Sequence, residues 1–253
     1  MNRIHLSVSL LILTFVLNCA SGVNARKLIH RSYKAGYYSL EVDAIATRDR
    51  RLLEESPLKH PIKNITEDQW KGILGNLKFK KESSVGDMIY YIFPEDELND
   101  IIPDLKVAVS DLDETKTLIV ITKFNDVKGV VSRDLRTTFL LFQNKKGINI
   151  LFSEIHQDMI GIETSNYYEW SVIPEIQFRN NYDPINIVEN KFFDFALVNG
   201  FKNRMWLQFD TTDPSKFKFE KRKTEEPEID KESNKLAEDS KKPKSEIIIR
   251  DVD

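Results

Sequence analysis

Two kinds of hydrophobic spacing run along this chain, and they divide it into a few helices and many strands. Trp70, Ile73, Leu74 and Leu77 fall at i, i+3, i+4 and i+7, one face of an α-helix. Thr66 stands ahead of them with Gln69 three residues on, the reciprocal pattern of a capping box, so the helix is predicted to begin there. Gly72 and Gly75 lie inside it and are expected to weaken it. A second, short helix is predicted over residues 94–102 (PEDELNDII). Proline suits its first turn, Glu95, Asp96 and Glu97 complement the positive end of its dipole, and Pro103 is expected to stop it.

Elsewhere the apolar runs are short and rich in β-branched and aromatic residues. MIYYIF (88–93), LKVAVS (105–110), TLIVITKF (117–124), YYEWSVI (167–173) and KFKFE (216–220) each predict a strand. TTFLLF and INILF face each other across Asn144-Lys145-Lys146-Gly147, and FFDFALV and FKNRMWLQFD across Asn199-Gly200, two hairpin signals. Strands outnumber helices and do not alternate with them. The fold class predicted is α+β: a single β-rich domain with a mainly antiparallel sheet, one or two short helices and a disordered C-terminal tail.

The two ends differ from this middle. Residues 6–17 form an apolar run too short to cross a bilayer, followed by the small-residue patterns Val23-Asn24-Ala25 and Ala20-Ser21-Gly22. Residues 1–25 therefore read as a signal peptide, with an uncleaved anchor as the alternative, and no later segment is long and apolar enough to span a membrane. Cleavage removes Cys19, the only cysteine, which excludes disulfides, thiolate metal sites and cysteine nucleophiles from the mature chain. Residues 26–60 read as an extended leader, 61–219 as the globular domain, and 220–253 as the tail. Of that tail's 34 residues 20 are charged and none is aromatic, a composition that cannot offset the entropy of ordering. Its basic clusters at 221–223 and 241–244 have the form of a weak nuclear-import signal or of a solvated polyampholyte, and Ile247-Ile248-Ile249 could add a strand to a partner's sheet edge. Asn64-Ile65-Thr66 is a glycosylation sequon, making Asn64 a candidate acceptor at the surface.

Candidate chemistry is sparse. Asp111-Leu112-Asp113-Glu114-Thr115 follows an apolar run and resembles the first motif of haloacid-dehalogenase-type phosphatases, in particular the DLDET of the carboxy-terminal-domain phosphatases. That resemblance implies Asp111 as nucleophile, Asp113 as acid/base and both as magnesium ligands. It spans five residues, departs from the family at Lys116, and lacks a second acidic pair after a later apolar strand. A turn built from Asp and Glu explains the same residues. His30, His60 and His156 are not at metal-ligand spacing from one another, and His156 reads as a solvated loop residue. No phosphate-binding loop, dinucleotide fingerprint or nucleophile elbow is present, so no cofactor is expected. Tyr90, Tyr91, Tyr167, Tyr168, Trp170, Phe192, Phe193 and Trp206 come without a basic stripe, and a formal net charge of -3 gives no nucleic-acid footprint. They read as core, or as a protein interface where exposed.

One motif concerns address rather than chemistry. Arg50-Arg51-Leu52-Leu53-Glu54 has the form R-x-L-x-E, with Arg50, Leu52 and Glu54 at its three fixed positions, downstream of the signal peptide. It resembles the export element (PEXEL) of malaria parasites and other apicomplexans, which implies cleavage by a secretory aspartyl protease between Leu52 and Leu53. The glutamates at 54 and 55 also resemble loosely the RxLR-EER element of oomycete effectors, though Leu53 stands where the second arginine belongs. In overall plan the chain resembles exported piroplasm (Babesia) effectors, especially truncated copies of spherical body protein 2. That resemblance implies a non-enzymatic protein that passes from a parasite secretory organelle into the host cell cytoplasm and remodels the red cell by binding a host protein. Nothing in the sequence gives the oligomeric state.

Overall fold

Among the described residues the domain is built of two antiparallel sheets with two α-helices laid on them. The computed structural model describes residues 26–42, 45, 62–82, 86–128, 131–159, 186–224 and 226–230. The chain opens with β1 (Arg26–Arg31) and β2 (Ala35–Glu41), then α1 (Glu67–Gly75), β3 (Lys78–Lys81), β4 (Met88–Tyr91) and α2 (Glu95–Ser110). Three long strands follow, β5 (Lys116–Lys128), β6 (Val131–Asn144) and β7 (Gly147–Asp158), and then β8 (Asn186–Ile187), β9 (Asp194–Val198), β10 (Phe201–Phe209) and β11 (Glu228–Ile229). The larger sheet has seven strands in the order β1-β2-β5-β6-β7-β10-β9, the smaller four in the order β11-β4-β3-β8. Among the described residues every pairing but the register shifts within it is regular antiparallel, so the α+β, mainly antiparallel expectation describes the molecule.

Both predicted hairpins form. Asn144 accepts from the Lys146 amide at 2.9 Å, and Gly147 takes the positive φ that closes the β6–β7 return. Asn199 and Gly200 both have positive φ, as a two-residue return between right-twisted strands requires. Thr117 to Thr122 on β5 and Thr137 to Phe142 on β6 are buried without interruption, so the centre of the large sheet is covered on both faces. Phe93, just after β4, packs against Phe139 at 5.8 Å and Phe152 at 6.3 Å between ring centres and ties the smaller sheet to that centre.

The N-terminal boundary differs from expectation. Residues 26–41, assigned to the extended leader, are β1 and β2, and β2 pairs along its whole length with Lys116–Thr122 of β5. Ala35 and Tyr37 are fully buried, and the Tyr37 hydroxyl donates to the Ile101 carbonyl at 2.8 Å. Residues 26–41 therefore belong to the sheet, where Ala35 and Tyr37 escape water. Residues 1–25 and the R-x-L-x-E residues Arg50, Leu52 and Glu54 lie outside the described residues, as do 167–173, His60 and 231–253.

The second helix also differs. It does not stop at Pro103 but runs on to Ser110, so LKVAVS is helix and not strand. Leu98, Ile101, Ile102, Leu105, Ala108 and Val109 are all buried, a stripe of helical period that spans the proline. Pro103 itself faces solvent, where a lost amide bond and a bend away from water are tolerated best. KFKFE is likewise not a strand: its first residues close a 3-10 turn, Pro214–Phe217, and the rest runs on as irregular backbone.

The first helix is capped as predicted, with Thr66 Oγ1 accepting from the Gln69 amide at 3.2 Å and Gln69 Oε1 from the Thr66 amide at 2.8 Å. Its glycines do more than weaken it. A Cβ on Gly72 would lie 1.8 Å from the Phe217 carbonyl oxygen, and one on Gly75 would lie 2.6 Å from the Phe219 ring. They leave a flat track on which residues 217–222 are laid. Gly72→Ala is accordingly expected to lose about 2 kcal/mol despite alanine's better helix propensity, because backbone must move to admit the methyl group. Urea unfolding at neutral pH measures this, and a gain in stability would show the track is not needed.

Candidate functional site

The segment on the glycine track forms one wall of a cleft. Asn76, which ends α1, holds that segment through both ends of its side-chain amide. Its Nδ2 donates to the Gly72 carbonyl at 2.9 Å and the Lys218 carbonyl at 2.8 Å, while its Oδ1 accepts from the Glu220 amide at 3.0 Å. Its own carbonyl accepts from Asn190 Nδ2 at 3.2 Å, which brings in the loop before β9. Arg222 then clamps the end of the segment. Its guanidinium lies 3.9 Å from the centre of the Tyr91 ring, and Nη2 donates to the carbonyls of Gly75 and Phe93 at 2.7 Å each. Beyond it β11 pairs with β4, and Asp230 is buried in an ion pair with Lys80. Residues 220–230, placed in the disordered tail on composition, are thus part of the domain. Glu220, Arg222, Glu228 and Asp230 find partners in the domain that composition does not reveal.

The cleft between this segment, β3–β4 and the loop before β9 has a volume of about 390 Å³ and is lined by Asn76, Lys78, Tyr91, Asn190 and Phe192, with Lys221 and Lys223 at its rim. Lys78 Nζ sits 4.6 Å from the Tyr91 ring centre and 3.6 Å from a Glu228 oxygen, and Glu220 is taken up by Lys191 at 2.6 Å. Lys221 and Lys223 make no ion pair among the described residues. The lining also includes Glu220 and Glu228, and the Tyr91 ring is held between Arg222 and Lys78, so the charge left for a partner is that of the exposed Lys221 and Lys223, which suits a carboxylate-bearing or otherwise anionic segment.

Sequence-predicted site residues fall elsewhere. Asn64 lies in a 3-10 turn (Ile62–Asn64) and is exposed, where a glycan can be carried. Asp111 is the C-cap of α2 and Asp113 lies in the following turn, both exposed. The phosphatase resemblance places these carboxylates at a strand's carboxyl end; they stand instead at the negative end of a helix dipole, which disfavours an approaching phosphate. Asp113 is occupied: the Lys116 ammonium and the Thr115 hydroxyl and amide bond it and hold its carboxyl well below the usual range. Among the described residues no group of three His, Cys, Asp or Glu side chains converges as metal ligands would.

His156 is a strand residue and not a solvated loop one. Residues 155 and 156 of β7 oppose Thr137 alone, a β-bulge in which His156 takes φ 50°. The bulge turns its ring inward, edge-on to Phe79 at 4.9 Å, with Nε2 donating to the Ile92 carbonyl at 2.7 Å. Beside it the nearly buried Arg136 meets Glu154 through two nitrogens, and Thr138 Oγ1 donates to the same carboxylate at 2.9 Å. Arg136, Glu154 and Thr138 thus bond one another, and His156 bonds the Ile92 carbonyl.

Of the aromatics picked out by the sequence, Phe192, Phe193 and Trp206 are core, while Tyr90 and Tyr91 are half-buried; Tyr167, Tyr168 and Trp170 lie outside the described residues. Among the described residues the most exposed large apolar side chains are others, Phe201 at 79%, Tyr33 at 77% and Leu197 at 60%. No helix among the described residues is long and apolar enough to cross a membrane. No protein-family model, no curated protein and no solved structure matches the chain.

Arg222 was not legible as important, since it sits in a run of charges. Arg222→Ala removes two charge-assisted hydrogen bonds and a ring contact, and is expected to cost about 2–4 kcal/mol and to free the C-terminal segment for limited proteolysis. Equal unfolding midpoints and cleavage rates for variant and parent would remove the clamp from the description of the site.

Proposed function

We propose that the protein is a secreted effector of a parasite, carried from a secretory organelle into the host cell, where it acts by binding a host protein and not by catalysis. The N-terminal apolar run, the R-x-L-x-E element and the charged C-terminal segment support the route. Binding is supported by the cleft, where the exposed Lys221 and Lys223 make no ion pair among the described residues and suit an acidic stretch of a partner. Such rim charges steer encounter and set partner preference more than they set raw affinity.

The fold puts a condition on the processing that the R-x-L-x-E element implies. Leu52 and Leu53 lie between β2 and α1 in the chain, so a cut between them separates Arg26–Glu41 from everything that follows. If that hairpin is lost, β5 becomes an open edge and the sites of Ala35, Tyr37 and Leu40 are emptied. The hairpin is therefore expected to stay with the domain, either uncut or retained through its pairing with β5.

Two measurements test this. A chain started at Leu53 is expected to lose cooperative unfolding; a sharp transition with the midpoint of the full chain would show that the hairpin is dispensable. In infected cells the tagged full-length chain is expected in the host cytoplasm and cross-linked to one host protein, with cross-linking reduced about tenfold by Lys221→Glu with Lys223→Glu. Retention in the parasite would overturn the route, and undiminished cross-linking would overturn the cleft as the binding surface.

A further inference from the structure

Helix α2 buries one charged side chain within its apolar stripe. Glu97 is 2% exposed, next to Leu98 and a turn before Ile101, and neither carboxylate oxygen has a hydrogen-bond partner. The local sequence explains why. Glu97 occupies the third position of the helix, from which a glutamate ordinarily reaches back to the amide of the N-cap residue. Here the N-cap is Pro94, which has no amide hydrogen to offer.

The surroundings do not compensate. Thr122, opposite on β5, favours the ionised form, yet its hydroxyl and the carboxylate do not reach good hydrogen-bond geometry, and both remain unsatisfied. From the β1–β2 turn Lys34 also favours ionisation, but its ammonium is committed to Asp100, one turn along α2, whose own charge acts in the opposite sense. Asp96 adds to the negative potential around Lys34. From β2 comes Tyr37, whose hydroxyl is spent on the Ile101 carbonyl, and from β1 His30, which engages Asp104 at 3.3 Å. Glu97 is left as a buried acid with an oriented but incomplete set of neighbours.

We propose that Glu97 is a proton-operated latch: protonated, it lets the first turn of α2 dock on β2 and β5, and ionised, it drives that turn off the sheet. Burial is the largest influence on the carboxyl and raises it from 4.5 to about 7, against the weaker pull of Thr122 and Lys34. The sign follows from linkage. The folded chain holds this proton over a range in which the unfolded chain has already released it, so the group's contribution is complete below about pH 4.5 and is lost as pH rises through about 7. Each pH unit in that window lowers the ratio of docked to undocked helix about tenfold. Ionisation draws water to the carboxylate, and the cheapest way to admit it is local opening of the helix end, which Pro94 leaves without a side-chain cap. Passage from an acidic to a neutral compartment crosses this window, and the latch operates whether or not the cleft holds a partner.

The test compares the full chain with Glu97→Gln between pH 5 and 8.5, by thermal unfolding and by amide exchange corrected for its intrinsic pH dependence. His30 is present in both chains and drops out of the difference. The parent is expected to lose melting temperature as pH rises through about 7 and to lose protection on the order of tenfold or more in the first turns of α2, while Glu97→Gln stays level. Parallel profiles, or protection in α2 that does not respond to pH in the parent, would overturn the latch. Should Glu97→Gln not fold, Thr122→Val keeps the carboxyl and removes a neighbour that favours its charge. The transition should then move to higher pH, and an unmoved transition would equally overturn the proposal.

Discussion

The docking of α2 on the N-terminal half of the large sheet is the contact on which the rest of the molecule depends. The helix lays its stripe from Leu98 to Val109 over β1, β2 and β5, and the Tyr37 hydroxyl pins it by the Ile101 carbonyl. Without that cover the interior strands would present their continuous apolar runs to water. The same helix positions the 3-10 turn at Ile62–Asn64 and carries α1 on its other side. Because α1 in turn supplies the glycine track, the placement of the cleft some distance away is set by how α2 sits. Burial of this kind is non-directional, which is why the few directional contacts along the helix, Tyr37 among them, decide its register and not its existence.

A second level of order is polar. The C-terminal segment has little apolar surface beyond Phe217 and Phe219, and it is fastened by groups that would be costly to leave bare. Asn76 and Arg222 between them bond five backbone groups of elements far apart in the chain. Each of those bonds is worth little net, but a half-formed set would strand buried carbonyls. The segment is therefore expected to dock or leave as a unit.

How much of this could be read in the sequence depended on how local the signal was. The capping box at Thr66 and the returns at Asn144–Gly147 and Asn199-Gly200 were legible, because each is written within four residues. The extent of α2 was misread because LKVAVS carries two periods at once. Leu105, Val107 and Val109 fit a strand face, while Leu105, Ala108 and Val109 continue the helical stripe begun at Leu98. Val107, 54% exposed, shows which period won, and the stripe on both sides of Pro103 was the sign that could have found it. The N-terminal hairpin was missed because β1 and β2 hold few large apolar residues. The burial of β2 comes from pairing with β5, a partner some 80 positions along the chain, and β1, largely exposed, is held by β2. The site was least legible of all. Arg222 looks like any charge in a polyampholyte until Tyr91 and the carbonyls of Gly75 and Phe93 are brought beside it, and Glu97 looks like a solvated helix-start acid until Thr122 closes over it.

The hairpin also changes what the R-x-L-x-E element can mean. A leader that hangs ahead of a domain can be removed without consequence, but residues 50–54 join the second strand of the main sheet to the remainder of the molecule. A protease acting there before folding would take Tyr37 away and with it the hydroxyl that pins α2. One acting after folding would leave two chains held by seven residue pairs between β2 and β5, in a sheet whose pairing is otherwise uninterrupted at that point. The two orders of events have opposite physical outcomes, a domain without its helix anchor or a nicked domain with its core intact. The element is therefore compatible with this fold only where pairing of β2 with β5 precedes the cut, or where no cut is made.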